Sequence, residues 1–242
     1  MEDVYIIIPA RIGSTRLPNK PLIDLNGKSL IQRVYLNASK VSPNVFVATD
    51  SKKIEQNLSK YTSKIIMTSS DHISGTDRIF EAAEKLHIKD NSLIINLQGD
   101  EPFLPIDAVN QIINTYQSIE PDVITLSCVL DYVNDLKNPN CVKVKTDIDN
   151  YALDFLRKSD EENLNRHIGI YGYTFKTLKK LINLAPSDRE IEYKLEQLRF
   201  LDNNFSIYVS HYKDDVPHGI DTDIDAIKAR KILTNIWLFQ KI

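Results

Sequence analysis

Cysteine is nearly absent from the 242-residue sequence, and Cys128 and Cys141 are its two representatives. Two are too few for a disulfide framework or a thiolate metal site, which points to a reducing cytosol. No apolar run approaches the ~18 residues that a membrane-crossing helix needs. Met1-Glu2-Asp3 is acidic where a signal peptide would be basic, so a cytoplasmic protein without membrane insertion is expected. Excess positive charge is missing too. Lys and Arg number 30 against 33 Asp and Glu, a net charge of −3, which argues against nucleic acid or an anionic membrane as the main partner. The chain contains no G-x-G-x-x-G after its first apolar run, no G-x-x-x-x-G-K-[ST] and no G-x-S-x-G. These absences disfavour a dinucleotide Rossmann site, a P-loop and a hydrolase nucleophile elbow. His72, His87, His211 and His218 show no ligand spacing, so zinc is disfavoured.

Glycine is scarce as well. Seven residues fall well below the roughly 7% of average usage, so each is expected where a positive φ or a close backbone approach demands it. Gly27 suits a turn in Leu25-Asn26-Gly27-Lys28. Gly13, Gly75, Gly99, Gly169, Gly172 and Gly219 all fall in polar clusters and are read as marking the site.

What is present alternates strand and helix. Val4 to Ile8 is a β-branched and aromatic run, the pattern of a strand buried on both faces. Pro9, lacking an N–H, is expected to take the chain out of the sheet. Helical patterns follow from a Ser29 cap, over Lys52 to Tyr61, up to Leu86 and over Ile106 to Tyr116. Strand patterns cover Asn44 to Ala48, Lys64 to Met67, Leu93 to Leu97 and Asp122 to Leu130. This rhythm predicts a three-layer α/β domain with a mostly parallel sheet. The second half is less regular. Strands are predicted at Val142–Lys145, Tyr151–Leu156, Ile168–Phe175 and Ser206–Tyr212, and a closing helix over Asp223 to Ile236. One amphipathic helix is predicted over Asp188 to Asp202, with Ile191, Leu195 and Leu198 inward. Close spacing of the middle strands suggests a small antiparallel extension within one domain spanning 1–242. Ile236-Trp237-Leu238-Phe239 reads as packing or a subunit contact.

Chemistry gathers where strands end. After Pro9 and Ala10 come Arg11, Gly13, Ser14, Thr15, Arg16 and Lys20. Open α/β sheets bind ligands at the carboxyl ends of their strands, and cations with backbone N–H groups there form an anion site, most simply for polyphosphate. Asp100 follows Gly99 at the end of the Leu93–Leu97 strand, and Asp221 lies in a second glycine turn. Mg²⁺ is typically held by one or two carboxylates plus substrate phosphates. Two loop carboxylates facing a basic loop suit it, although Asp221 could equally be a helix cap. Ser74-Gly75-Thr76-Asp77-Arg78 either caps a helix or presents backbone groups to a base or sugar. His167, Gly169, Tyr171 and Tyr173 share one strand face, which suits a polyhydroxylated ligand or an ordinary half-buried strand. Glu196, Gln197 and Arg199 share a helix and are either site residues or a solvated face.

The motifs PARIGSTRLPNKPL at 9–22, SGTDR at 74–78, QGDEP at 98–102, NPNCVKV at 138–144, HIGIYGY at 167–173, LEQLR at 195–199 and GIDT at 219–222 together resemble the 3-deoxy-manno-octulosonate (Kdo) cytidylyltransferase family. The resemblance implies a nucleotide-diphospho-sugar transferase-like fold, with residues 131–175 including a sugar-binding or dimerisation extension. It implies a cytoplasmic, Mg²⁺-dependent homodimer that joins CTP to Kdo, a 2-keto-3-deoxy sugar acid, for lipopolysaccharide biosynthesis. On this resemblance Pro9, Ala10, Arg11, Ser14, Thr15, Arg16, Lys20, Ser74, Gly75, Thr76, Arg78 and Gln98 surround the nucleotide. Arg11, Lys20 and Asp100 are catalytic, Asp100 and Asp221 bind the metal, and Arg157, His167, Tyr171, Glu196 and Gln197 meet the sugar acid.

One departure stands out. The family usually carries a longer loop after the strand that ends here at Arg157, whereas only residues 158–165 separate Arg157 from Arg166. Arg157 is left as the expected partner of the substrate carboxylate. The shortening keeps two alternatives open: a cytidylyltransferase for a related sugar acid, amino-substituted or sialic-type, and a non-catalytic nucleotide-binding homologue.

Overall fold

A computed structural model describes residues 3–13 and 16–239, excepting the side chains of 236–239. Ser14 and Thr15, and the side chains of the C-terminal apolar tetrad, therefore lie outside the described residues. The chain forms a mixed α/β fold, and its contacts divide it into two compact units.

The first unit comprises residues up to 87, 96–106 and those from 217 onward. Strand β1 (Val4–Ala10) pairs in parallel with β2 (Val45–Thr49), and β2 with β3 (Ile65–Met67). Ile6, Ile7 and Ile8 are fully buried, as the uninterrupted apolar run requires. Pro9 does not end the strand. It stays in register opposite Ala48, and Ala10 opposite Thr49, because a proline's fixed φ is compatible with an extended strand and only its donor is missing.

Helix α1 (Leu30–Ala38) starts at a reciprocal cap: the Ser29 hydroxyl accepts from the Gln32 N–H, and the Gln32 side chain accepts from the Ser29 N–H. Helices α2 (Lys52–Leu58) and α3 (Gly75–Lys85) return the chain between strands. Asn26 and Gly27, both at positive φ, form the tight turn expected there. Strand β4 (Leu93–Leu97) is divided, with residues 96 and 97 in this unit and 93–95 in the other.

The second unit comprises 88–95 and 107–216. Helix α4 (Ile106–Ile119) leads to β5 (Val123–Cys128), β6 (Lys143–Thr146), β7 (Ala152–Leu156) and β8 (Asn165–Thr174). Strand β8 runs antiparallel to β5 and β6, and β6 antiparallel to β7, which is the antiparallel set read from the spacing. Helix α5 (Phe175–Leu181), capped by the Thr174 hydroxyl, was not expected from sequence; it buries Phe175, Leu178 and Leu181.

The predicted single helix over 188–202 is two. Helix α6 (Asp188–Tyr193) and α7 (Glu196–Asp202) are separated by Lys194 in the left-handed region at φ 53°. Leu195 and Leu198 are buried, but Ile191 is 64% exposed, so only two of the three predicted inward residues face the core. Strand β9 (Ile207–His211) pairs in parallel with β5, and α8 (Asp223–Phe239) closes the chain in the first unit. Among the described residues, no helix is long and apolar enough to cross a membrane.

Candidate active site

The first unit holds a cavity of about 350 Å³. It opens where β1 and β4 end, and Arg11, Arg16, Lys20, Asp100 and Asp221 all line it. Glycines make the necessary close approaches. A Cβ on Gly99 would sit 2.9 Å from the Pro9 carbonyl oxygen, so the chain leading to Asp100 passes against β1 only without a side chain. A Cβ on Gly219 would meet the Glu101 carboxylate at 2.8 Å, and the Ile220 N–H donates to the Asp100 carbonyl at 2.9 Å. The two carboxylate-bearing turns are thus docked on each other. Gly172 is different: its Cβ would strike Ile124 at 2.7 Å, inside an apolar contact. It serves core packing, and the reading of every polar-cluster glycine as a site marker is corrected there.

Both carboxylates converge on one nitrogen. Lys20 Nζ donates to Asp100 Oδ2 at 2.6 Å and to Asp221 Oδ1 at 2.8 Å, while Arg16 pairs with the other Asp221 oxygen at 3.0 Å. Burial opposes the Lys20 charge, yet the two carboxylates together outweigh it and raise the ammonium above its ordinary value. Burial likewise works against the Asp221 carboxylate, and Lys20 and then Arg16 overcome it and hold the group below the usual range.

The capping alternative for Asp221 is excluded. Thr222 caps α8 by accepting from the Asp225 N–H at 3.3 Å, and Asp225 Oδ2 accepts from the N–H groups of Asp221 and Thr222 at 3.2 and 2.9 Å. The Asp221 side chain is therefore left to face the cations. Asp225 has a positioning part that sequence reading missed; the Thr-x-x-Asp spacing at 222–225 was the available signal.

Helix α3 begins at the cavity wall. The Ser74 hydroxyl accepts from the Asp77 N–H at 3.1 Å, and Asp77 accepts from the Ser74 N–H at 3.2 Å, so capping accounts for these two side chains. Gly75 packs on the Pro9 ring. Pro9, Ala10, Ser74, Gly75, Arg78 and Gln98 line the cavity; Thr76 is buried and does not. Arg78 is 2% exposed and held by Thr68 at 2.6 Å and Asp50 at 2.9 Å. Gln98 is anchored through Nε2 to Asn96 at 2.9 Å. Arg11 is exposed at the mouth.

The remaining site candidates belong to the second unit. His167 and Tyr171 are half-buried on one face of β8, with rings 5.6 Å apart. Burial pushes the His167 imidazole down to about 3, so it is neutral. Burial, with the Glu196 carboxylate and Tyr173 adding to it, raises the Tyr171 hydroxyl well above its usual value. Gln197 is buried on α7 beside the half-buried Glu196. Glu196 accepts from Arg199 at 3.2 Å.

Arg157 has its three guanidinium nitrogens on backbone carbonyls: Tyr193 at 2.5 Å, Pro139 at 2.9 Å and Lys194 at 2.8 Å. These contacts hold the left-handed turn between α6 and α7. Nearby Lys143 is fully buried, and its Nζ donates to the carbonyls of Asp135, Asn138, Cys141 and Arg157 at 2.5–3.1 Å. Burial pushes the Cys141 thiol up to about 12, which leaves it inert as a nucleophile.

Comparison with known proteins agrees with the motifs. The cytidylyltransferase family model matches residues 5–209. A 3-deoxy-manno-octulosonate cytidylyltransferase of Francisella tularensis subsp. holarctica is 41% identical, over 96% of this chain and 99% of its own. One from Photobacterium profundum is 38% identical over 94% and 98%. The solved structure of a CMP:2-keto-3-deoxy-manno-octonic acid synthetase complexed with CTP superposes with a TM-score of 0.88, at 34% identity over 96% of this chain and 98% of that one. A Leptospira borgpetersenii cytidylyltransferase, at 17% identity and a TM-score of 0.61, shares the fold. With strand-end loops, paired carboxylates and near full-length similarity in agreement, the chain belongs to the 3-deoxy-manno-octulosonate cytidylyltransferase family.

Proposed function

We propose that the protein transfers the CMP group of CTP to 3-deoxy-D-manno-octulosonate, giving CMP-Kdo and pyrophosphate, and so supplies an activated sugar for lipopolysaccharide biosynthesis. The observation that carries this reading is the convergence of Asp100 and Asp221 on the Lys20 ammonium, beneath the Arg11 and Arg16 loop, in one cavity. Arg11, Arg16 and Lys20 neutralise the triphosphate, joined by Ser14 and Thr15. Pro9, Ala10, Ser74, Gly75, Arg78 and Gln98 form the wall we assign to cytidine, with Arg78 held by Asp50 and Thr68, and the buried Thr76 supports the start of α3 rather than touching the ligand.

A divalent cation fits the two carboxylates. They are hard oxygen donors, and they already converge on a cation, the Lys20 ammonium. Among the described residues no group of three or more His, Cys, Asp or Glu side chains could hold a metal. The other ligands would therefore come from phosphate and water, and Mg²⁺ is our assignment. When bound it supplies Lewis-acid stabilisation of phosphoryl charge and lowers the pKa of the attacking hydroxyl.

The reaction is an in-line displacement. The anomeric hydroxyl oxygen of the sugar acid bonds to the α-phosphorus, the bond to the bridging oxygen breaks, and the hydroxyl proton passes to solvent. Lys20 and Arg11 stabilise the negative charge on departing pyrophosphate, and catalysis rests on positioning and charge neutralisation. His167, Tyr171, Glu196 and Gln197 are assigned to the sugar acid, with Arg157 at the edge of that subsite. We place the enzyme in the cytoplasm as a homodimer. Leu153, Ile191 and Tyr193 of the second unit are exposed apolar side chains of the kind that a subunit contact would cover.

Pyrophosphate release, measured with each nucleoside triphosphate against a panel of 2-keto-3-deoxy sugar acids, tests the reading. Turnover only with CTP and Kdo is expected. Preference for an amino-substituted or sialic-type acid would favour the related-sugar reading, and no turnover with any pair would favour a non-catalytic homologue.

A further inference from the structure

The pairing of β5 with β8 contains an irregularity. Thr125 lies opposite Tyr171, but the next residue, Leu126, lies opposite Ile168. Gly169 and Ile170 therefore sit in a bulge with no register partner on β5, and a bulge leaves backbone groups outside the ladder. Thr125 answers this. It is fully buried, and its Oγ1 donates to the Ile170 carbonyl at 2.8 Å, with the Ile168 carbonyl at 3.3 Å.

The same hydroxyl lies 3.0 Å from His167 Nε2. A threonine hydroxyl has one proton and two lone pairs. With the proton directed to a carbonyl, which can only accept, the oxygen can meet Nε2 only as an acceptor. Nε2 must then carry the imidazole proton, leaving a lone pair on Nδ1. The ring is also fixed in plane. Phe155 packs on it edge-on at 4.9 Å and 76°, while the backbone N–H of His167 donates to the Val142 carbonyl at 2.9 Å and anchors the main chain beneath the ring. Nδ1 has no hydrogen-bond partner among the described residues, and His167 is only half-buried.

We propose that Thr125 is a positioning residue that locks His167 in the Nε2-protonated tautomer, so that Nδ1 meets the substrate as a hydrogen-bond acceptor and selects a hydroxyl of the sugar acid. The selection half rests on the assignment of His167 to the sugar-acid subsite; the tautomer does not. A carboxylate, having no proton to give, is disfavoured at this nitrogen, so the acid group of the substrate must be held elsewhere. A site built to accept from a hydroxyl also discriminates strongly against analogues lacking it, because the lone pair is then left unpaired.

Long-range proton–nitrogen NMR of the full-length protein reads the tautomer directly, with the His167 signals identified by their loss in His167→Gln. The wild type and Thr125→Ser should show a proton on Nε2, and Thr125→Val should show a mixture or the other tautomer. Thr125→Val should raise the KM for the sugar acid by about tenfold, the equivalent of one lost hydrogen bond, with the KM for CTP nearly unchanged and Thr125→Ser restoring it. A wild-type proton on Nδ1 overturns the proposal whether or not the valine variant folds. An unchanged tautomer in a folded Thr125→Val does so too. The expected tautomers with an unchanged KM for the sugar acid would overturn the selection step and remove His167 from the sugar subsite.

Discussion

Ile220 donates its N–H to the Asp100 carbonyl at 2.9 Å, and this one bond ties the turn before α8 to the turn after β4. Asp221, the next residue, is thereby carried to the same lysine that Asp100 holds. On the proposed metal site, Lys20 and a divalent cation would compete for the same two carboxylates. Lys20→Met is expected to bind Mn²⁺ more tightly than the wild type in the absence of nucleotide, measured by electron paramagnetic resonance. Its turnover should nevertheless fall by about 2–4 kcal/mol of transition-state stabilisation. Weaker or unchanged Mn²⁺ affinity would show that the ammonium and the metal do not share a position.

The carboxylates should behave as a unit. Asp100→Asn and Asp221→Asn are each expected to remove most turnover, and the double variant to lose little beyond either single one. Steady-state kinetics on the three proteins decides. Fully multiplicative losses would mean that the two groups act on separate steps.

For Arg157 the geometry adds a second expectation to the first. If its contacts with the Pro139, Tyr193 and Lys194 carbonyls matter, Arg157→Ala should lose about 1–2 kcal/mol of stability without any substrate present. Lysine should recover little of it, since a single ammonium cannot reproduce the guanidinium fork. Urea unfolding of both variants measures this. A stability equal to wild type, together with a KM raised for the sugar acid alone, would instead make Arg157 a direct carboxylate ligand.

Acid sensitivity has an identifiable contributor in the first unit. Partial burial acts against the Glu81 carboxylate, but Lys85, the Ser69 N–H and His72 overcome it and lower its pKa from 4.5 to about 2. The folded value lies below the unfolded one, so the stabilisation is fully present above about pH 4.5 and is lost as pH falls toward 2. Glu81→Gln should be less stable at neutral pH by about 1–2 kcal/mol, a value discounted for partial solvation. Its thermal midpoint should also fall less between those two pH values. Parallel acid profiles for the two proteins would exclude Glu81 from this loss.

The sequence exposed what depends on local pattern. An uninterrupted apolar run predicted β1, strand-like patterns predicted β4 and β5, and the Ser29 cap predicted the start of α1, because these features need only near neighbours. Glycine scarcity, through Gly13, Gly99 and Gly219, likewise singled out the loops around Lys20, Asp100 and Asp221, which line one cavity. What stayed hidden depends on distant partners. Nothing local marks Lys194 as left-handed; its conformation is held by Arg157, brought in from β7. Gly172 reads locally as a site residue, but Ile124, Ile95 and Ile112, distant in sequence, pack against it. The bulge that makes Thr125 important is a property of strand pairing, which one strand's sequence does not carry. Thr125 left one clue, a fully buried hydroxyl in a strand of the core that must find a partner somewhere.

Lys143, enclosed by four carbonyl oxygens, turns the second unit into its own gauge. With no exposed surface, its amine is out of reach of acylating reagents for as long as the 135–141 segment stays closed. Surface lysines such as Lys52, whose side chain is 72% exposed, remain open to the same reagent. Pulse labelling followed by peptide mass spectrometry would therefore separate the chemistry of the reagent from the breathing of the protein. The delay of Lys143 behind Lys52 is a direct measure of how seldom that segment opens.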